Sequence, residues 1–77
     1  MEKQASTIII YKRGGGYYAD VTGAHGGGYS GAHAGDTAEE AALFLLREEA
    51  RYIKTNPMGG TIHAPEDVRA AIEASKI

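Results

Sequence analysis

Gly35–Lys54, GDTAEEAALFLLREEARYIK, is the one stretch of this chain that reads as a long helix, and its reading decides the fold class. Thr37 followed by Glu40 is a capping box, and Asp36 with Glu39 offers the same device one residue earlier. Asp36, Glu39 and Glu40 sit in the first turn, where the helix dipole favours negative charge, and Arg47, Arg51 and Lys54 favour the other end. At about 100° per residue, Ala38, Ala42, Leu45, Leu46, Ala50 and Ile53 make an apolar stripe. Glu49 falls within that stripe, as a paired carboxylate or at the edge of a rotated helix. Leu43 and Phe44 fall outside it, on the side of Glu40, Arg47 and Arg51.

Working outward toward the N-terminus, residues 1–6 are polar and expected to fray. Thr7–Arg13 (TIIIYKR) is β-branched and reads as a strand, with Ile8 and Ile10 on one face and Ile9 and Tyr11 on the other. Apolar residues on both faces point to a central strand, or to an edge covered by a partner. Gly14–Gly16 is a hairpin turn. Tyr17–Thr22 (YYADVT) returns with Tyr17, Ala19 and Val21 on one face and Tyr18, Asp20 and Thr22 on the other. Gly23–Gly28 is a second turn, and Tyr29–Ala34 (YSGAHA) a third strand whose small residues let a helix approach. Beyond the helix, Thr55–Gly60 is a stop, because Pro57 disfavours helical geometry at Asn56. Thr61–Ala64 is a short strand. Pro65 opens a closing helix with Val68, Ile72 and Ser75 inward. The expected fold is one α+β domain over residues 1–77, in the order β-β-β-α-β-α. A three-stranded antiparallel sheet, with a short fourth strand, packs on one long helix and a short C-terminal one.

A chain of 77 residues forms a small core, so a staple is expected. There is no cysteine, which removes disulfides and thiolate metal sites and leaves a homodimer or a partner as the staple. The formal net charge of −2 gives no polyanion-binding footprint. No apolar run approaches the ~18 residues of a membrane span, and the first residues lack the apolar core of a signal peptide, so a cytoplasmic protein is expected.

No catalytic constellation is legible. Gly26–Gly31 matches G-x-G-x-x-G, but a strand follows where a dinucleotide site needs a helix. His25, His33 and His63 lack the spacing of a metal site. Asp20 is a lone strand carboxylate, and Ser30 near His33 has no nucleophile elbow or orienting acid. The reading is therefore a non-enzyme with no cofactor and no metal. Lys12 and Arg13 beside Tyr17 and Tyr18 sketch a nucleic-acid-binding hairpin, although two cations in an acidic chain release few counterions.

Two family resemblances bear on function. Gly16-Tyr17-Tyr18 and then Gly31–Ala41 (GAHAGDTAEEA) resemble HicB-like antitoxins, in which a strand pair leads through "GCHxxGDTxEEA" into the long helix. Ala32 stands where that family has cysteine, and one residue fewer separates His33 from Gly35. The C-terminal DNA-binding unit of that family has no room in Thr61–Ile77. The hairpin, the Gly31–Gly35 run and Pro65-Glu66 are similar to small phage anti-CRISPR proteins of the type I-F inhibitor group. The second resemblance implies a non-catalytic inhibitor bound to a CRISPR surveillance-complex subunit. The first implies an antitoxin domain that occludes a small RNase toxin. In both, the protein covers a partner's nucleic-acid-handling surface. Aromatic anchors and steering acids then make Tyr18, Tyr29, Asp36, Glu39, Glu40, Leu43 and Phe44 the expected partner contacts.

Overall fold

The computed structural model describes residues 5–23 and 27–75. The expectations for the frayed residues 1–4, for His25 and for the middle of the second glycine turn lie outside the described residues. The elements are β1 (Ser6–Arg13), β2 (Gly16–Thr22), β3 (Gly28–Gly35), α1 (Ala38–Glu48), a π-helical turn (Glu49–Ile53), β4 (Gly60–His63) and α2 (Glu66–Ser75).

The α+β class and the element order agree with the sequence reading; the sheet differs in one respect. It has four strands in the order β3-β2-β1-β4, and it is mixed, because β4 pairs with β1 in parallel. The three-stranded antiparallel sheet is therefore corrected. The reason is direction. The β1-β2-β3 meander leaves β3 running the same way as β1. One helical reversal through α1 then returns the chain in that direction, and β4 lies beside β1 with Ile8 opposite Ile62. This places β1 between β2 and β4, the central position that its two apolar faces implied. Ser6 is also part of the sheet, buried at the start of β1.

Side-chain alternation sorts the sheet into two faces. Ile8 and Ile10 of β1 and Tyr17, Ala19 and Val21 of β2 are buried against the helices, together with Ala34 of β3. Ala41, Ala42 and Leu45 of α1 and Val68 of α2 complete the core. Both helices thus cover one face, and the molecule is a two-layer slab of 39 × 30 × 15 Å.

The predicted stripe on α1 is rotated. Ala41, Ala42, Leu45 and Glu48 are buried, Ala38 and Leu46 are half-buried, and Ala50 is exposed. The carboxylate turned inward is Glu48, 5% exposed, while Glu49 is half-buried at the margin. Two surfaces compete for the apolar arc. The sheet takes Ala41 and Leu45, and α2 lies along the Leu46 flank with Ile72. The one long helix also ends at Glu48. Beyond it Lys54 N–H donates to the Glu49 carbonyl at 2.9 Å, five residues back, the signature of a π turn. The extra residue brings Tyr52 and Ile53 together against the core.

Two polar ties close the ends of this arrangement. The Ser6 hydroxyl donates to the Tyr52 carbonyl at 2.8 Å and accepts from Asn56 Nδ2 at 2.9 Å, joining β1 to the end of the π turn. The Tyr17 hydroxyl donates to Asp67 Oδ2, joining the sheet to α2. That bond holds the Asp67 carboxyl below its ordinary value and raises the Tyr17 phenol, burial adding to the latter. The depressed Asp67 value means that the tie stabilises the fold above the ordinary carboxylate range and is lost as pH falls through the folded-state value. The raised Tyr17 value acts at the other end, its contribution fading as pH rises above about 10. Tyr17→Phe is therefore expected to lower the urea midpoint at neutral pH, with the gap to wild type closing below about pH 4. A gap independent of pH between 3 and 7 would show that the hydroxyl does not act through Asp67.

Candidate protein-binding surface

The candidate site lies where β3 hands over to α1. Thr37 is the N-cap: the Glu40 N–H donates to Thr37 Oγ1 at 3.1 Å. The Glu40 carboxylate reaches back and accepts from the Thr37 hydroxyl and from the Asp36 N–H, each at 3.3 Å. Glu40 is thus held by the cap it helps to build, as the capping box predicts. Asp36 is exposed and sits 3.1 Å from His33 Nε2, fastening the end of β3 to the start of the helix. An exposed pair of this kind adds little stability; it orients the ring.

One turn further on, Leu43 is 67% exposed. It stands between two shallow grooves. One runs along β3 and is lined by His33, Gly35, Glu40, Phe44 and Arg47; the other, toward α2, is lined by Glu39, Leu46, Ala71 and Ser75. Phe44 is half-buried, packs against the core and has the Arg47 guanidinium 5.5 Å from its ring centre. The second helix therefore covers neither Leu43 nor the outer side of Phe44, because it packs along the opposite flank of α1.

Five of the seven residues expected to contact a partner meet here: Asp36, Glu39, Glu40, Leu43 and Phe44. Tyr18 reaches the same edge from the other face of the sheet, edge-on to His33 at 5.5 Å between ring centres. Tyr29 does not join them. It pairs with Val21 on the helix-covered face and packs edge-on against Tyr52, with ring centres 6.3 Å apart. Burial, and then the neighbouring Glu48, push its hydroxyl well above the ordinary tyrosine value. Tyr29 Oη and Glu48 Oε2 are both buried without a hydrogen-bond partner of ordinary geometry. Tyr29 is thus a core-edge residue packed on Tyr52, apart from the surface where the other expected contacts meet.

Sequence reasoning left His33 and Arg47 out of the site. The His33–Asp36 spacing was a usable signal; the placement of Arg47 over Phe44 depends on helix rotation. In the candidate nucleic-acid hairpin, Tyr17 and Tyr18 point to opposite faces as strand alternation requires, Tyr17 is buried, and Lys12 lies over the Tyr17 ring at 5.7 Å. Asp20 accepts from the Gly31 N–H at 2.9 Å and from the Tyr11 hydroxyl at 3.3 Å. Among the described residues, no three His, Cys, Asp or Glu side chains gather as a metal site would require. Nor is any described helix long and apolar enough to cross a membrane.

Compared with models of known protein families, with curated proteins and with solved structures, the chain has no match.

Proposed function

We propose that this is a small non-catalytic binding protein that masks a nucleic-acid-handling surface of a partner, in the manner of an anti-CRISPR inhibitor of a surveillance-complex subunit. The observation that carries the reading is Leu43, exposed with Asp36, Glu39 and Glu40 on its N-terminal side and Arg47 one turn beyond. An apolar knob flanked by acids on one side suits a partner with an apolar socket beside a basic surface, and nucleic-acid-handling proteins carry basic surfaces. Phe44 and the cap behind it hold the knob on a helix, so little ordering is needed on binding.

A second reading, a HicB-like antitoxin domain that occludes a small RNase, is favoured by the same stretch. Gly31–Ala41, which carries that resemblance, builds the His33–Asp36 clasp and the cap.

The test uses the full chain, immobilised, against lysate of its host. A nucleic-acid-handling protein is expected on the wild-type surface, and its DNA binding or RNase activity should fall when the chain is added. Leu43→Glu should weaken that complex roughly tenfold or more while leaving the melting temperature within a few degrees. A CRISPR effector subunit in the complex supports the first reading and a small RNase the second. Unchanged capture by Leu43→Glu, or capture without loss of the partner's activity, would overturn both.

A further inference from the structure

We propose that the open face of the sheet is the docking surface for a second copy of this chain, sheet against sheet. The inference concerns the opposite layer of the slab and meets the helix-side reading only along the Tyr18–His33–Asp36 edge.

The open face is not the polar face expected of a two-layer protein alone in water. Alternation on an antiparallel sheet normally puts polar residues outward. Here the two central strands put Ile9, Tyr11 and Tyr18 outward, with Ile9 38% exposed. Tyr11 and Tyr18 stack at 6.1 Å between ring centres, and His33 continues the row at 5.5 Å. The row is rigid. Asp20 accepts from the Tyr11 hydroxyl and from the Gly31 N–H, and Asp36 holds His33. Ordered aromatic side chains lose little freedom on association, the property that makes them interface anchors.

The charge pattern selects a second copy over other occupants. Among the described residues, Asp20 is the one carboxylate on a strand; the rest lie on the helices and their connections. Of the two strand cations, Lys12 turns to the Tyr17 side and Arg13 shares the side of Tyr11. Arg13 and Asp20, with the His33–Asp36 pair at the edge, make a near-neutral set that a two-fold pairing can satisfy without opposing like charges. A nucleic acid would find a single arginine there, too little for counterion release. The open face is four strands wide and up to eight residues long, about 19 × 26 Å, so the contact falls at the small end of stable interfaces. The core itself is thin, with Ile8, Leu45 and Val68 its largest fully buried apolar side chains, so further burial would stabilise it.

Sedimentation equilibrium on the full chain tests the proposal. Wild type is expected at twice the 8.1 kDa chain mass. The double variant Ile9→Lys/Tyr18→Glu, checked for an intact fold by circular dichroism, should sediment as a monomer, and Leu43→Glu should remain dimeric. Because the chain has no cysteine, single cysteines give a second measurement that needs no disruptive change. Ile9→Cys should form a disulfide-linked dimer under mild oxidation, and Leu43→Cys should not. A monomeric wild type overturns the proposal, as does a dimer that survives Ile9→Lys/Tyr18→Glu, or cross-linking through Leu43→Cys alone. Saturable binding of oligothymidylate by a monomer, lost in Tyr18→Ala, would overturn it in favour of a single-stranded nucleic acid.

Discussion

Gly35→Ala is expected to destabilise the fold by about 3 kcal/mol or more, the sum of a strained backbone and a steric clash. Gly35 ends β3 at φ +155°, where side chains are rarely accommodated. It is also buried, and a Cβ there would stand 2.5 Å from Glu40 Cβ and 3.0 Å from the Ala41 nitrogen. Those atoms belong to the first turn of α1, so relief requires the capped helix to move off the strand. For a domain of this size the loss corresponds to roughly 12–24 °C in melting temperature. Gly31→Ala is the control. Its φ is +71°, but nothing lies within 4 Å of the added Cβ, so only the left-handed backbone cost of about 1–2 kcal/mol applies. Equal losses at the two positions would show that the helix does not sit against β3 as described.

Leu45→Ala is expected to be the most damaging truncation on α1. Leu45 is 1% exposed between the sheet and α2. Leucine-to-alanine changes at such sites cost about 3–5 kcal/mol, the transfer term plus the cavity left behind. A domain of this size has only about 4–12 kcal/mol in total, so the variant should approach half-unfolding well below the wild-type melting temperature. Leu43→Ala, two residues away, should stay within about 0.5 kcal/mol, because that side chain is already in water. The pair tests the helix rotation directly by urea denaturation with unchanged slope. Similar losses for both would mean that Leu43 is covered.

The surroundings of these two residues show what was legible. The cap at Thr37 follows from local chemistry, because Thr37 and Glu40 meet on one turn whatever lies beyond. The faces of β1 and β2 follow from a period of two, which leaves no freedom once the strands are recognised. Tyr17 and Tyr18 therefore fall on opposite faces, and the structure turns Tyr17 inward. For Tyr29 the pattern gives no such answer. Its strand is rich in glycine and alanine, and register shifts between Tyr17 and Tyr18 and between Ala19 and Val21 decide which of its residues face inward. No periodicity in the strand itself encodes such a bulge.

The helix shows the same division within one element. Its existence, its start and its charge asymmetry are properties of neighbouring residues, and Gly35–Lys54 determines them alone. Its rotation is not local. The apolar residues span an arc wider than one surface can cover, from Ala41 through Leu45 to Leu46, and two surfaces divide it. That division buries Glu48 where the pattern pointed to Glu49, and it leaves Leu43 in solvent. The π turn belongs to the same class, since inserting one residue into the helical ladder becomes favourable only when Tyr52 and Ile53 gain the core. So does the parallel pairing of β4. Its four residues gain their hydrogen bonds from β1, which is more than fifty residues earlier in the chain. Sequence by itself determined the elements, their order, the strand faces and the cap, because short-range geometry governs each. The helix rotation, the π turn, the parallel pairing of β4 with β1 and the outward placement of Leu43 were decided only by tertiary packing, where distant segments compete for the same apolar surface.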